Sequence, residues 1–158
     1  MSIAAGTWFY LGKTDSYTHV LATGESIQSW NFQGGYSGSA DLEQKAQDEI
    51  ARMKALLGVE GDDTTDYSVY VSIANQYNLL GDGANNYAYL KKALAIDSET
   101  TGLAWFNLAT LLERLDAPKS ALDAYGHAAR AQPQQIQYQS AYLEFLTEHF
   151  PEEREKID

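Results

Sequence analysis

At 158 residues the chain is long enough for one domain, or one domain with a small appendage, and 44% hydrophobic against 21% charged residues excludes wholesale disorder. Eleven basic against 22 acidic groups give a net charge of −11, a field that repels nucleic acid and favours a neutral or basic protein partner. The absence of cysteine excludes disulfides and thiolate metal sites, and no run approaches the roughly 18 consecutive apolar residues of a membrane helix.

The opening stretch, Met1 to Lys13, has no basic first segment, and its apolar run is broken by Gly6 and Thr7. It is a poor signal peptide, so a cytoplasmic location is expected. Residues 1–38 read as an aromatic arm. Trp8–Leu11 and Tyr17–Leu21 are β-prone runs separated by Gly12–Ser16, which resembles a hairpin with a five-residue loop. A third run, Ile27 to Phe32, extends it into a meander; the alternative is an irregular arm whose aromatics pack on the rest of the chain. So short a segment, without disulfide or metal, cannot fold unaided, and it is expected to rest on the remainder.

Residues 39–158 read as a helical domain. Leu42, Ala46, Ile50, Met53 and Leu57 make one apolar stripe on a helix over 41–57, with Asp41 placed to cap it, Gln44 in capping-box position and Gly58 placed to end it. Gly61–Thr65 is a polar linker whose last residues suit the start of the next helix. Beyond it the chain repeats itself. An offset of 35 lays Tyr70 on Trp105, Ile73 on Leu108, Ala74 on Ala109, Tyr77 on Leu112, Leu80 on Leu115, Leu90 on Tyr125, Ala93 on Ala128 and Ser98 on Pro133. Each unit is helix, turn, helix: 66–80 and 84–96 around Gly81-Asp82-Gly83, then 101–115 and 118–131 around Asp116-Ala117-Pro118. Gly81 suits a left-handed helix stop and Pro118 a first helical turn. Ala74, Ala93, Ala109 and Ala128 stand where helices cross closely.

In this pattern the chain resembles the tetratricopeptide repeat family. The second unit reads Trp105-x2-Leu108-Ala109-x2-Leu112, then Ala121-x3-Tyr125, Ala128 and Pro133; the first reads Tyr70-x2-Ile73-Ala74-x2-Tyr77, with Asn86 in place of a small apolar residue and Ser98 in place of the proline. The resemblance implies a mainly α fold: two hairpins at about 67–100 and 102–135 and a capping helix at 136–150 carrying Ile136, Tyr142, Phe145, Leu146 and Phe150, with Pro151 ending it. Two repeats are few, and the 41–57 helix is expected to supply the missing neighbour.

Catalytic constellations are not found. His19, His127 and His149 lie far apart in sequence without a metal-ligand pattern. Gly34-Gly35-Tyr36-Ser37-Gly38 lacks the full glycine frame of a nucleophile elbow, since Ser39 stands where the second glycine is required, and no glycine-rich phosphate loop precedes a helix. Neither catalytic residue, metal nor cofactor is therefore expected. The resemblance instead implies a concave groove lined by the first helix of each pair. Projected away from the apolar stripes, these helices present Ser68, Val71, Ser72, Asn75 and Asn78, then Leu103, Phe106, Asn107, Thr110, Glu113 and Arg114. In family members that grip extended peptides, asparagines at the places of Asn75 and Asn107 bond the peptide backbone or its terminal carboxylate. Members that clamp acidic tails place basic residues where Val71, Gln137 and Ala141 stand here. The expected function is a protein- or peptide-binding scaffold, with an apolar side chain of the partner resting on Val71 and Phe106. The alternative is a small acidic chaperone or immunity-type inhibitor that masks a basic effector.

Overall fold

A computed structural model describes residues 17–59 and 65–154. Its helices are α1 (Ala40–Lys54), α2 (Asp66–Leu80), α3 (Gly83–Ile96), α4 (Leu103–Arg114), α5 (Pro118–Ala131), α6 (Ile136–His149) and the single turn α7 (Pro151–Arg154). The periodicity finds each of the six long helices, but the first, expected over 41–57 with Gly58 as its stop, ends at Lys54 and leaves Leu57 in the turn beyond it, and Pro151, expected to end the chain's last helix, begins another turn. The ends follow local chemistry. The Thr65 hydroxyl caps α2 by accepting from the Ser68 amide, Gly81 closes it at φ 77°, and Asp82 caps α3 by accepting from the Asn85 amide. Pro118 opens α5, where a missing N–H costs nothing. At α1 the expected cap fails. The helix begins at Ala40 behind Ser39, Asp41 pairs with Lys45 at 2.8 Å, and Glu43 instead accepts from the Gly38 amide at 2.8 Å.

Successive helices are antiparallel. Asn78 meets Asn86 and Tyr77 stacks on Tyr89 across α2 and α3; Gly102 meets Gln132 and Glu113 meets Tyr125 across α4 and α5; Tyr125 meets Phe145 across α5 and α6. α1 lies on α2, and α3 on α4, so one apolar core runs through the stack. Ile73, Ala74, Leu90, Ala93, Trp105, Leu108, Ala109, Leu112 and Ala128 are all fully buried in it. The Trp105 indole donates to the Ser98 carbonyl at 2.9 Å, which fixes the ring across the α3–α4 turn. The α1 stripe is shorter than expected, since Ala46, Ile50 and Met53 are buried but Leu42 is exposed. On α6 the core takes Tyr138, Phe145 and Leu146, whereas Ile136 is 79% exposed.

The Tyr17–Leu21 and Ile27–Phe32 strands do not form; Trp8–Leu11 lies outside the described residues. Residues 17–38 are instead an irregular strap across α3, α5 and the α2–α3 turn, the second of the two expectations. It carries a single isolated bridge, Asn31 to Asp82. Along it, the Phe32 amide donates to the Gly81 carbonyl at 3.0 Å, the Tyr36 amide to the Leu79 carbonyl at 2.9 Å, and the Gly83 amide to the Trp30 carbonyl at 2.8 Å. The backbones approach so closely that a Cβ at Gly34 or Gly81 would strike main-chain atoms.

Candidate functional site

Tyr67, Val71, Asn75 and Asn78 recur along α2 at helical spacing and meet α4. The Tyr67 hydroxyl accepts from the Ala104 amide at 3.0 Å, the Asn107 amide group donates to the Asn75 carbonyl oxygen at 3.1 Å, and Arg114 donates to the Asn78 carbonyl oxygen at 3.1 Å. This explains a correction. Val71, expected on the groove floor, belongs to the same stripe and is 3% exposed, buried in the core rather than offered to a partner. Asn75 and Asn107 do come together. Their bond engages one side-chain atom of each, and Asn75 Nδ2 and Asn107 Oδ1 form no other bond among the described residues.

The remaining expected groove residues divide. Ser68 is turned onto its own helix start, donating to the Thr65 carbonyl at 2.7 Å, and Thr110 donates to the Asn107 carbonyl at 2.9 Å. Ser72 and Leu103 are exposed. Phe106 is half-buried, its ring 5.3 Å from that of Tyr138 on α6 and 5.8 Å from that of Tyr125 on α5, so it packs against both helices. Arg114, expected in the groove, turns to the strap: the guanidinium lies 4.6 Å over the Phe32 ring. Asn86, anomalous in the repeat pattern, is buried and donates to Asn78 at 3.4 Å.

Two turns along α4 from Phe106, Glu113 faces a cavity of about 220 Å3 that the helix projection did not find. Its lining is Glu113, Tyr125, Ala141, Glu144, Phe145 and Glu148. The Tyr125 hydroxyl donates to Glu113 at 2.7 Å, and burial, reinforced by that carboxylate and by Glu144, holds the phenol proton on well above its ordinary range. Among the described residues no lysine or arginine pairs with Glu113, Glu144 or Glu148. The signal was present in the sequence, because Glu144 and Glu148 stand one turn apart beside Ala141. Projecting α6 as α2 and α4 were projected would have exposed it.

Chemically this side offers an amide pair, an aromatic floor and carboxylates. Among the described residues no cluster of His, Asp or Glu is arranged to hold a metal ion, and no helix is long and apolar enough to cross a membrane. No protein-family model, curated protein or solved structure matches the chain.

Proposed function

We propose that residues 66–150 are two tetratricopeptide-type hairpins with a capping helix, and that the chain is a scaffold holding a neutral or basic peptide segment against α2, α4 and α6. The observation that carries this reading is the acid-rimmed cavity. Glu113, Glu144 and Glu148 surround a volume of about 220 Å3 floored by Tyr125 and Phe145. A lysine or arginine side chain laid there meets carboxylates at its head and ring faces along its stem, two attractions that an acidic segment reverses. The Asn75–Asn107 pair, on the neighbouring turns, supplies the donor and acceptor with which an extended backbone is gripped.

The test is titration of labelled eight-residue peptides, alike except for a central Arg, Gln or Glu, followed by fluorescence anisotropy at low and moderate salt. The Arg peptide is expected to bind tightest and to lose affinity as salt screens charges over about 10 Å at 0.1 M. Glu113→Gln/Glu144→Gln/Glu148→Gln is expected to remove the preference for Arg. Equal affinity of the parent protein for all three peptides would defeat the reading.

A further inference from the structure

We infer that His19 is the acid-sensitive latch of the strap, and that protonation of its ring lifts residues 17–22 from the α3–α5 side and bares the Trp105–His127 surface beneath.

Along residues 17–21 burial alternates, with Tyr17, His19 and Leu21 turned inward and Thr18 and Val20 exposed. Among the described residues no backbone-to-backbone bond ties this stretch to the helices, in contrast to Phe32 and Tyr36 further along. Its apolar hold is made by the rings of Tyr17 and His19 and by Leu21, which packs against the core. Tyr17 stands edge-on to Trp105 with centroids 5.0 Å apart, and His19, 2% exposed, lies between Tyr87 of α3 and Trp105 of α4. His19 Nδ1 is 2.8 Å from the Tyr87 hydroxyl, and the same hydroxyl donates to the His19 carbonyl at 3.3 Å. The stretch ends where the Ala22 amide donates to Ser120 Oγ at 2.8 Å.

The surroundings of the His19 ring suit a neutral imidazole. From α3 it faces Tyr87 and Lys91, whose ammonium lies 5.3 Å over the Tyr87 ring. From α5 it faces Asp123 and His127, and within the strap Tyr17 is its neighbour. Asp123 is the one carboxylate that favours a charged ring, and it already lies 3.6 Å from His127 Nε2. Burial outweighs it, aided by Lys91 and His127, and holds His19 at about 4 against an ordinary 6.5. Burial also lowers His127, which stacks on Trp105 at 4.2 Å, so its protonation adds charge to the same place.

The sign follows. A histidine held below its ordinary value binds protons more readily once released, so the strap is fully held above about pH 6.5 and its hold falls as the pH drops towards 4. By pH 5, where ordinary carboxylates remain ionised, the released fraction rises up to about twentyfold over that at pH 7.

Hydrogen exchange of the Ala22 amide in the full chain, corrected for intrinsic rate, reads that fraction directly. Its protection is expected to fall by up to about twentyfold between pH 7 and pH 5, while amides within α4 hold theirs; His19→Gln, which keeps a hydrogen-bonding side chain without the charge, is expected to flatten the response. Constant Ala22 protection in the parent, or an equal fall in His19→Gln, would overturn the latch. Should His19→Gln already have lost protection at pH 7, the parent's His19 ring titrated by NMR decides: a midpoint near 4 upholds the inference and one near 6.5 refutes it.

Discussion

Along α3 and α5 the helices are covered by their own chain, whereas along α2, α4 and α6 the surface ends in amides and carboxylates that no described segment covers. On the covered side the two buried polar residues are both bonded: His19 with Tyr87, and Ser120 with Ala22 and Glu25. Glu25 does most there. The Thr23-Gly24 turn, with Gly24 at φ 87°, brings its carboxylate over the start of α5, where it accepts from the amides of Lys119 at 2.6 Å and Ser120 at 2.9 Å and from the Ser120 hydroxyl at 2.6 Å. A cap that Ala117 cannot supply thus comes from a residue far away in sequence. On the other side Glu113, Glu144 and Glu148 are left beside a cavity, and burial there would be costly without an incoming cation. Closure by paired polar groups marks a finished contact; Glu113, Glu144 and Glu148 are exposed, and a cationic partner for them belongs to the proposed function.

The contrast is broken most forcefully at Trp105, which is fully buried between the strap's Tyr17, the His127 ring and the Ser98 carbonyl. Trp105→Ala is expected to cost about 3–5 kcal/mol, seen as a lowered denaturation midpoint. A midpoint equal to the parent's would mean that the indole does not join strap and helices. Glu25→Ala comes next. It strips the borrowed cap from α5 and is expected to cost about 1–2 kcal/mol, with earlier proteolytic cleavage in residues 17–25. If stability falls while the strap remains as resistant as before, the cap acts on α5 alone and does not fasten the covering segment.

The helices were legible because burial writes a period into them. Trp105 over Tyr70 and Ala128 over Ala93, at the offset of 35, mark positions that pack. The strap was legible as extended chain but not as strap. Tyr17, His19 and Leu21 alternate with Thr18 and Val20 as in a strand, and what separates the two is whether the backbone finds a ladder. That depends on Tyr87 and Ser120, 68 and 98 residues away from their partners, which local pattern cannot reveal. Val71 was misplaced for a related reason. A helical projection shows that it stands apart from Ile73 and Tyr77, but not that α4 approaches on that side and buries it. Glu113 is exposed, as its projection away from the apolar stripe implies, yet the cavity beside it needs α6, whose Glu144 and Glu148 become neighbours only through helix packing.

The smallest expected effect on stability sharpens the contrast from the open side. Asn75 is exposed and Asn107 half-buried, and their one mutual bond can be exchanged for water when either is shortened. Asn75→Ala with Asn107→Ala is therefore expected to cost less than about 1 kcal/mol, with an unchanged helical signal. Binding responds differently, because the pair's uncommitted amino group and carbonyl oxygen are what a peptide backbone would meet. The Arg peptide is expected to bind the double variant at least about tenfold more weakly, the equivalent of about 1.4 kcal/mol, while its salt dependence, set by Glu113, Glu144 and Glu148, persists. Calorimetric titration at two salt concentrations beside a thermal scan separates these quantities. A large drop in melting temperature would make the asparagines part of the α2–α4 seam, as Val71 is; full retention of affinity would leave the carboxylates as the binding determinant and take the amide pair out of the site.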